Sequence, residues 1–396
     1  MKMKSLIALV FVLLALSSCE GFFGDKTDLS FIETPDFQAR EVAYVPIQPI
    51  IDGFIQPTDV LAGYDELFYV VDAGTEEIIA FDQAGREQGR LRVPGVTKIA
   101  QDRRLDILAI GTFDTIINNN PYTLSTIYRL NLNGSSGYGI SKAEVENKII
   151  NPFYFKTSFS SLDAEVKFTS LDVMASNEFY VTRNGPRQNI NQVGGPDDGV
   201  LRFDAEDNYK TNVFITTEVG FFRDYFKRPT CIVSYAKPPQ TPFINETGDF
   251  FIGLADPTVP LKIPSISFLE TDFGSSYEVE NLGFSDTAEA NDFLYRPSRF
   301  ENPVDMTITG DGTNYLFVVD QAKDSIFQFT TSGFEGVNPP PGSSEKKNII
   351  VSFGGTGIGA NQFNSPSAVA YLNRILYITD QNNGRLLRFK LTTDFE

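Results

Sequence analysis

The chain has 396 residues, among them 35 Phe and 16 Tyr but no Trp and no His. Lys and Arg total 33 against 51 acidic residues, a formal net charge of −18, and so acidic a surface repels nucleic acid and anionic bilayers, leaving neither as an expected partner. Without His, Ser-His-Asp catalysis and His-ligated zinc or iron are excluded.

At the start, Met1-Lys2-Met3-Lys4 precedes an apolar run from Leu6 to Leu16 that ends in Leu16-Ser17-Ser18-Cys19. A basic tip, a short apolar stretch and small residues predict a secretory signal over residues 1–18, too short to span a bilayer as a stable helix. Leu-Ser-Ser-Cys resembles a bacterial lipobox. That resemblance implies cleavage before Cys19, palmitate or a similar chain on that residue, and a place in the cell envelope, on the outer membrane, with lipid as the only membrane contact. Processing removes Lys2 and Lys4 and no acid, so 31 minus 51 gives −20. Cys231 is then the one thiol left, which rules out an intramolecular disulfide or a Cys-based metal site; in Thr230-Cys231-Ile232-Val233 it reads as a small buried hydrophobe on an innermost strand. Residues 19–40 read as a lipidated tether and 41–396 as one domain.

Within that domain Glu41 to Ile47 alternates like a strand, and one pattern then recurs. Pro57-Thr58-Asp59-Val60, Leu67 to Val71, Asp72 and Ile78-Ile79-Ala80-Phe81 set the order; weaker copies begin near Val96, Phe168 and Pro229; Pro303-Val304-Asp305-Met306, Leu316 to Val319, Asp320 and Ile326 to Phe329 repeat it. The fullest copy is the last: Phe353, a turn with Gly354, Gly355, Gly357 and Gly359, then Phe363, Pro366, Ser367 to Ala370, Ile375 to Asp380, Gln381-Asn382-Asn383-Gly384-Arg385 and Leu386 to Phe389. Short β-rich runs between Gly/Asn/Asp turns predict antiparallel sheets, and their recurrence predicts stacked or radially arranged sheets. The last unit resembles an NHL repeat, and the resemblance implies an all-β, six-bladed β-propeller (NHL/TolB-like). Without Trp, WD40 blades are excluded and Phe must pack the space between sheets. The last unit stops one strand short, after Leu391, so residues 41–47 are expected to close the ring as an N-terminal strand. Asp72, Asp320 and Asp380 end equivalent strands and read as turn caps.

Candidate sites follow from excess loop length. With strands lettered A to D from the axis outward, the B–C loops at Thr112–Leu124 and Asn184–Gly199 and the D–A connections at 153–167, 218–228 and 271–301 share one rim; the C–D insertion at 333–347 goes to the other. The loop-rich rim carries Asn119 and Tyr122, then Arg183, Arg187, Asn189 and Gln192, then Arg223, Tyr225 and Arg228. Arg, Tyr and Asn combine planar hydrogen-bonding forks with flat apolar faces, which suit a protein, peptide or carbohydrate ligand. No cofactor is expected. Gly354–Gly359 opens no helix, so it fails as a dinucleotide loop; Asp197, Asp198, Asp204 and Asp207 could hold Ca²⁺ but lack the spacing of a calcium loop and read as solvated turn residues. The expected function is a monomeric binding module of the envelope. Two alternatives stand beside it: a metal-dependent hydrolase or lactonase similar to gluconolactonase-type propellers, which hold a metal in the channel with Glu, Asn and Asp, and a scaffold for an envelope complex.

Overall fold

Strands such as Phe68–Asp72 and Leu316–Asp320 are buried at every residue. A strand apolar on both faces needs a neighbouring sheet on each side. The computed structural model meets that need with six sheets set around an axis, five of four antiparallel strands and one whose four antiparallel strands are extended by a small hairpin. It describes residues 42–154, 159, 161–185, 198–222, 225–236, 246–271, 274–280, 288–340 and 345–395.

Taken from the axis outward, blade 1 is Pro57–Ala62, Phe68–Asp72, Glu77–Phe81 and Glu87–Arg92. Blade 2 is Lys98–Gln101, Ile107–Ile117, Asn120–Asn131 and Glu144–Ile150; blade 3 is Lys167–Val173, Phe179–Asn184, Gly199–Phe203 and Tyr209–Val213. Blade 4 is Pro229–Ser234, Phe250–Leu254, Ser265–Thr271 and Gly274–Val279; blade 5 is Pro303–Ile308, Leu316–Asp320, Ser325–Phe329 and Phe353–Gly354. Blade 6 takes Pro366–Leu372, Ile375–Asp380 and Arg385–Leu391 from the end of the chain and Tyr44–Asp52 from its beginning. The N-terminal strand therefore closes the ring, pairing Tyr44 with Leu391 and Asp52 with Arg385, and it runs five residues beyond the expected Ile47.

Six apolar cores fill the six gaps between sheets. Phe68 of blade 1 meets Tyr377 of blade 6 with ring centroids 4.6 Å apart, and Tyr180 of blade 3 meets Phe250 of blade 4 at 4.8 Å. Phenylalanine pairs also stack within blades, Phe68 on Phe81 and Phe179 on Phe203. Cys231 is fully buried on the innermost strand of blade 4, and burial pushes its thiol up to about 12, so it is inert at neutral pH. The outermost strands are another matter: Glu87–Arg92 faces water along most of its length.

Two parts of the chain differ from expectation. Thr112–Leu124 is not a loop; the second and third strands of blade 2 continue as a ribbon from Ile107 to Asn131, turned at Asn118-Asn119 with φ of 52° and 62°. Two successive left-handed residues make the turn whose twist matches that of the strands, and Asn tolerates that conformation. In blade 4 the outer strand Gly274–Val279 lies inside what reads from sequence as a D–A connection, which shortens that connection to residues 280–302. A small hairpin, Ile215–Thr217 with Gly220–Phe222, adds to this blade by parallel pairing of Ile215 with Tyr277.

The Asp residues that end equivalent second strands reach further than their own turns. Asp72 accepts the N–H groups of Ile55 (2.9 Å) and Gln56 (2.7 Å), and Asp320 those of Glu301 (2.8 Å) and Asn302 (3.0 Å), so each pins the segment entering its own inner strand. Asp380 does the same with Asn364 N–H at 2.7 Å and also accepts from Arg385 Nε at 2.8 Å. Arg385 in turn donates to the carbonyls of Ile358, Gly359 and Gln362, which accounts for the Asn/Arg pair beside a Gly-rich turn in the last unit.

Candidate functional site

The innermost strand of each blade has one edge with no strand beside it, and in a ring that edge faces the axis. Unpaired N–H and C=O groups there must find side chains or water. The sequence supplies the side chains. In five of the six inner strands the second residue of the repeat is bulged out of the ladder: Thr58, Thr169, Thr230, Val304 and Ser367. The four hydroxyls among them donate to the next blade, Thr58 to Thr97 C=O at 3.0 Å, Thr169 to Pro229 C=O at 2.8 Å, Thr230 to Pro303 C=O, and Ser367 across the closing joint to Pro57 C=O at 2.7 Å. Carboxylates do the matching work for the N–H groups. Asp59 accepts from Ile99 N–H at 2.7 Å, Asp305 from Val369 N–H at 2.8 Å and Asp172 from Ser234 N–H at 2.6 Å, each again one blade onward.

Lys98 crosses the axis. From the inner strand of blade 2 its Nζ lies 3.1 Å from Asp59 of blade 1, 3.1 Å from Asp305 of blade 5 and 3.4 Å from the carbonyl of Ser367 in blade 6. Burial works to lower the Lys98 pKa, but the Asp305 and Asp59 carboxylates outweigh it and hold the amine above its ordinary value, so it stays an ammonium. The two carboxylates are pushed up by burial and pulled back by Lys98.

Above this triad the channel opens into a cavity of about 120 Å³, lined by the inner strands of all six blades. Its lining starts at Asp59, Lys98 and Asp305 and continues through Leu61, Asp172 and Ser234 to Tyr64, Ala236 and Tyr371, where the inner strands turn into the second ones. The cavity therefore opens toward the A–B turns, on the rim opposite the long B–C and D–A connections. Its lining is mixed and more polar than apolar: Val60, Ile232, Met306 and Ile308 border it but bury their side chains in the cores between blades, and half-buried Leu61, Ala62 and Ala236 supply its apolar contacts.

Asp172 stands apart from the other two carboxylates. Oδ1 accepts Val173 N–H at 2.9 Å and Oδ2 accepts Ser234 N–H at 2.6 Å, and no ion pair among the described residues includes it. Asp172 is half-buried and lines the cavity. Burial pushes its carboxyl up to about 7, against the pull of the hydrogen bonds from Ser234 and Val173, and the nearby charge of Asp305 adds to the rise. Tyr64 lines the mouth, with the Arg103 guanidinium over its ring at 5.3 Å.

These residues do not fit a metal. The Lys98 ammonium already sits between Asp59 and Asp305 where a cation would be held, and among the described residues no three His, Cys, Asp or Glu side chains are grouped to ligate one. Asp207, one of the acidic residues weighed for Ca²⁺, instead pairs with Arg129 at 2.5 Å, and Asp204 caps its own turn through Asn208 N–H at 2.7 Å; Asp197 lies outside the described residues.

The residues expected on the loop-rich rim are spread over several environments. Asn119 is exposed at the tip of the blade 2 ribbon, while Tyr122 is half-buried with its ring edge-on to Phe159 at 4.9 Å. Arg183 is fully buried at the end of its strand. Tyr225 is half-buried against Phe226 and Phe222, and Arg228 is exposed, with its N–H donating to Asp198 at 2.8 Å. Arg187, Asn189, Gln192 and Arg223 lie outside the described residues. Asp59, Lys98, Asp172 and Asp305 were not expected as a site. Asp59 and Asp305 share a place two residues after the Pro of their repeats, and Lys98 is the lone charge in Val96–Ala100, signals that a channel-facing reading of the inner strand would have used.

No protein-family model and no curated protein matches the chain. Solved structures do match in fold. A protein of unknown function from Bacteroides thetaiotaomicron is 12% identical with a TM-score of 0.50, over 89% of this chain and 76% of that one. A luciferin-regenerating enzyme is 9% identical with a TM-score of 0.51, over 88% and 95%. At 9% identity and a TM-score of 0.49, a gluconolactonase from Xanthomonas campestris aligns over 89% of this chain and 97% of its own. At such identities the first two show a shared propeller fold alone, and activity does not travel with fold.

Proposed function

We propose that this propeller is a binding module of the bacterial cell envelope, anchored by lipid at Cys19, which takes a small ligand in its central channel. The observation that carries the reading is the cavity above Lys98: a concavity walled by the inner strands of six blades, with fixed polar groups beside a few apolar ones and one carboxylate without a cation. Preformed concave sites with convergent polar groups are where small ligands bind. The floor supports binding rather than metal-assisted hydrolysis, because Asp59 and Asp305 are engaged by Lys98 and by backbone N–H groups. Ala236 lines the mouth, so Ala236→Trp should fill the entrance and leave the blades intact. A small-molecule library read by thermal shift should give ligands that stabilise the wild type and not this variant; equal stabilisation of both would move the site elsewhere. For the anchor, Cys19→Ser should shift the protein from the detergent phase to the aqueous phase, and unchanged partitioning would remove the lipid from the proposal.

A second reading, a protein-binding face on the opposite rim, is favoured by exposed apolar side chains there. Ile116 on the blade 2 ribbon and Val219 and Phe222 on the small hairpin project into solvent.

A further inference from the structure

We propose that the channel cavity recognises a small organic amine, with Asp172 as the anion that meets its ammonium group. The inference rests on the channel-binding reading and gives that site a ligand class. Charge comes first: the lining holds three carboxylates, Asp59, Asp172 and Asp305, and one cation, Lys98. Lys98 is taken by Asp59 and Asp305, each at 3.1 Å, which leaves the charge of Asp172 unmatched within the cavity.

Geometry comes second. Each Asp172 oxygen accepts one backbone N–H, from Val173 and from Ser234, so the carboxylate is held in one orientation with a lone pair left on each oxygen. An ammonium carries three donors and no acceptor, and suits such an anion; a carboxylate or phosphate ligand would meet repulsion from Asp172, Asp59 and Asp305 together. A carboxylate drawn partly out of water without a counter-charge is costly, and an incoming cation reduces that cost.

Size comes third. An engineered apolar cavity of about 150 Å³ holds benzene, so about 120 Å³ open at one end accommodates a body of comparable size. Leu61, Ala62 and Ala236, half-buried in the lining, give apolar contact to a short hydrocarbon body behind the charged head. An alkylamine of four to six carbons, roughly the heavy-atom count of benzene, meets both demands.

The test is titration calorimetry at pH 8, where the Asp172 carboxyl is ionised and the amine still protonated, on the purified full-length protein with three probes of one length: pentylamine, pentan-1-ol and pentanoate. Pentylamine should bind at least about tenfold more tightly than pentan-1-ol, the worth of one charge-assisted contact, and pentanoate should give no heat. Asp172→Asn should lose that preference while its circular dichroism and melting remain those of a folded propeller, and Ala236→Trp should lose binding of every probe. No binding of pentylamine, or equal binding by Asp172→Asn and wild type, overturns the inference. A neutral or anionic ligand that Ala236→Trp excludes and Asp172→Asn keeps would overturn the amine while leaving the channel as the binding site.

Discussion

Replacing Lys98 with Met keeps most of the side-chain volume and deletes the ammonium from between Asp59 and Asp305. The pair contacts are 3.1 Å each, and the side chains of Lys98, Asp59 and Asp305 are 12%, 6% and 13% exposed, so solvent does little to screen them. Removing one partner of a buried ion pair costs about 3–5 kcal/mol, because the carboxylates left behind stay desolvated. The propeller unit spans Val42–Glu396; at about 2.1 cal/mol/K per residue its unfolding entropy is roughly 0.7 kcal/mol/K, and the loss should lower Tm by about 4–7 °C. The pH dependence fixes the cause. Without the cation, burial raises the Asp59 and Asp305 pKa values further, so ionising them weakens the fold as pH rises, and protonation relieves the strain as pH falls. The Tm deficit of Lys98→Met should therefore be larger at pH 8 than at pH 5. The triple variant Lys98→Met, Asp59→Asn, Asp305→Asn should recover most of it. Calorimetry at both pH values is the assay. An unchanged Tm at pH 8, or an equal deficit at pH 8 and pH 5, would refute an electrostatic role for Lys98.

Asp172 gives a second pH effect of the same sign: its folded pKa of about 7 lies above the ordinary 3.8, so the wild type loses stability as pH climbs between those values. Asp172→Asn should gain about 1–2 kcal/mol at pH 8 and nothing below pH 4, the full linkage being reduced by the lost acceptor for one backbone N–H. Arg385→Ala strips Asp380 of its cation and three carbonyls of their donor; a loss of about 3 kcal/mol by denaturant melt is expected, with faster amide exchange at Gly357 and Phe363, and Arg385→Lys should restore little of it. Deleting residues 42–52 bares the edge of Arg385–Leu391 and should cause aggregation and a large drop in Tm, whereas deleting residues 20–36 should leave Tm unchanged; matching melts would disprove closure by this strand.

Blades 1, 5 and 6 were legible because each solves the same problem locally. Pro opens the inner strand where no N–H is needed, an apolar run like Phe-Tyr-Val-Val-Asp fills the second, and the Asp that ends it ties back to the strand entry. The blade 2 ribbon was misread because Asn118-Asn119-Asn120 resembles any polar loop until both left-handed residues are seen in register with their strands. The channel was not legible for a different reason. Lys98 is 39 positions from Asp59 and 207 from Asp305, and only ring closure brings them together, so no window of sequence contains the site. Loop length pointed to one rim; the cavity depends on inner-strand side chains and lies toward the other.

The joint in blade 6 also sets an order in time. Ala43 N–H donates to Thr392 Oγ1 across 349 positions, so the first strand of the propeller to be synthesised waits for the last before it has a partner. Until then Arg385–Leu391 does not exist, and Tyr44–Asp52 is an unpaired strand, the kind of edge through which nascent chains associate wrongly. Contacts of such separation form slowly. A ribosome that stalls anywhere before blade 6 releases an open arc rather than a weaker ring, so a proteolytic quality check need only detect a bare edge to tell finished molecules from unfinished ones.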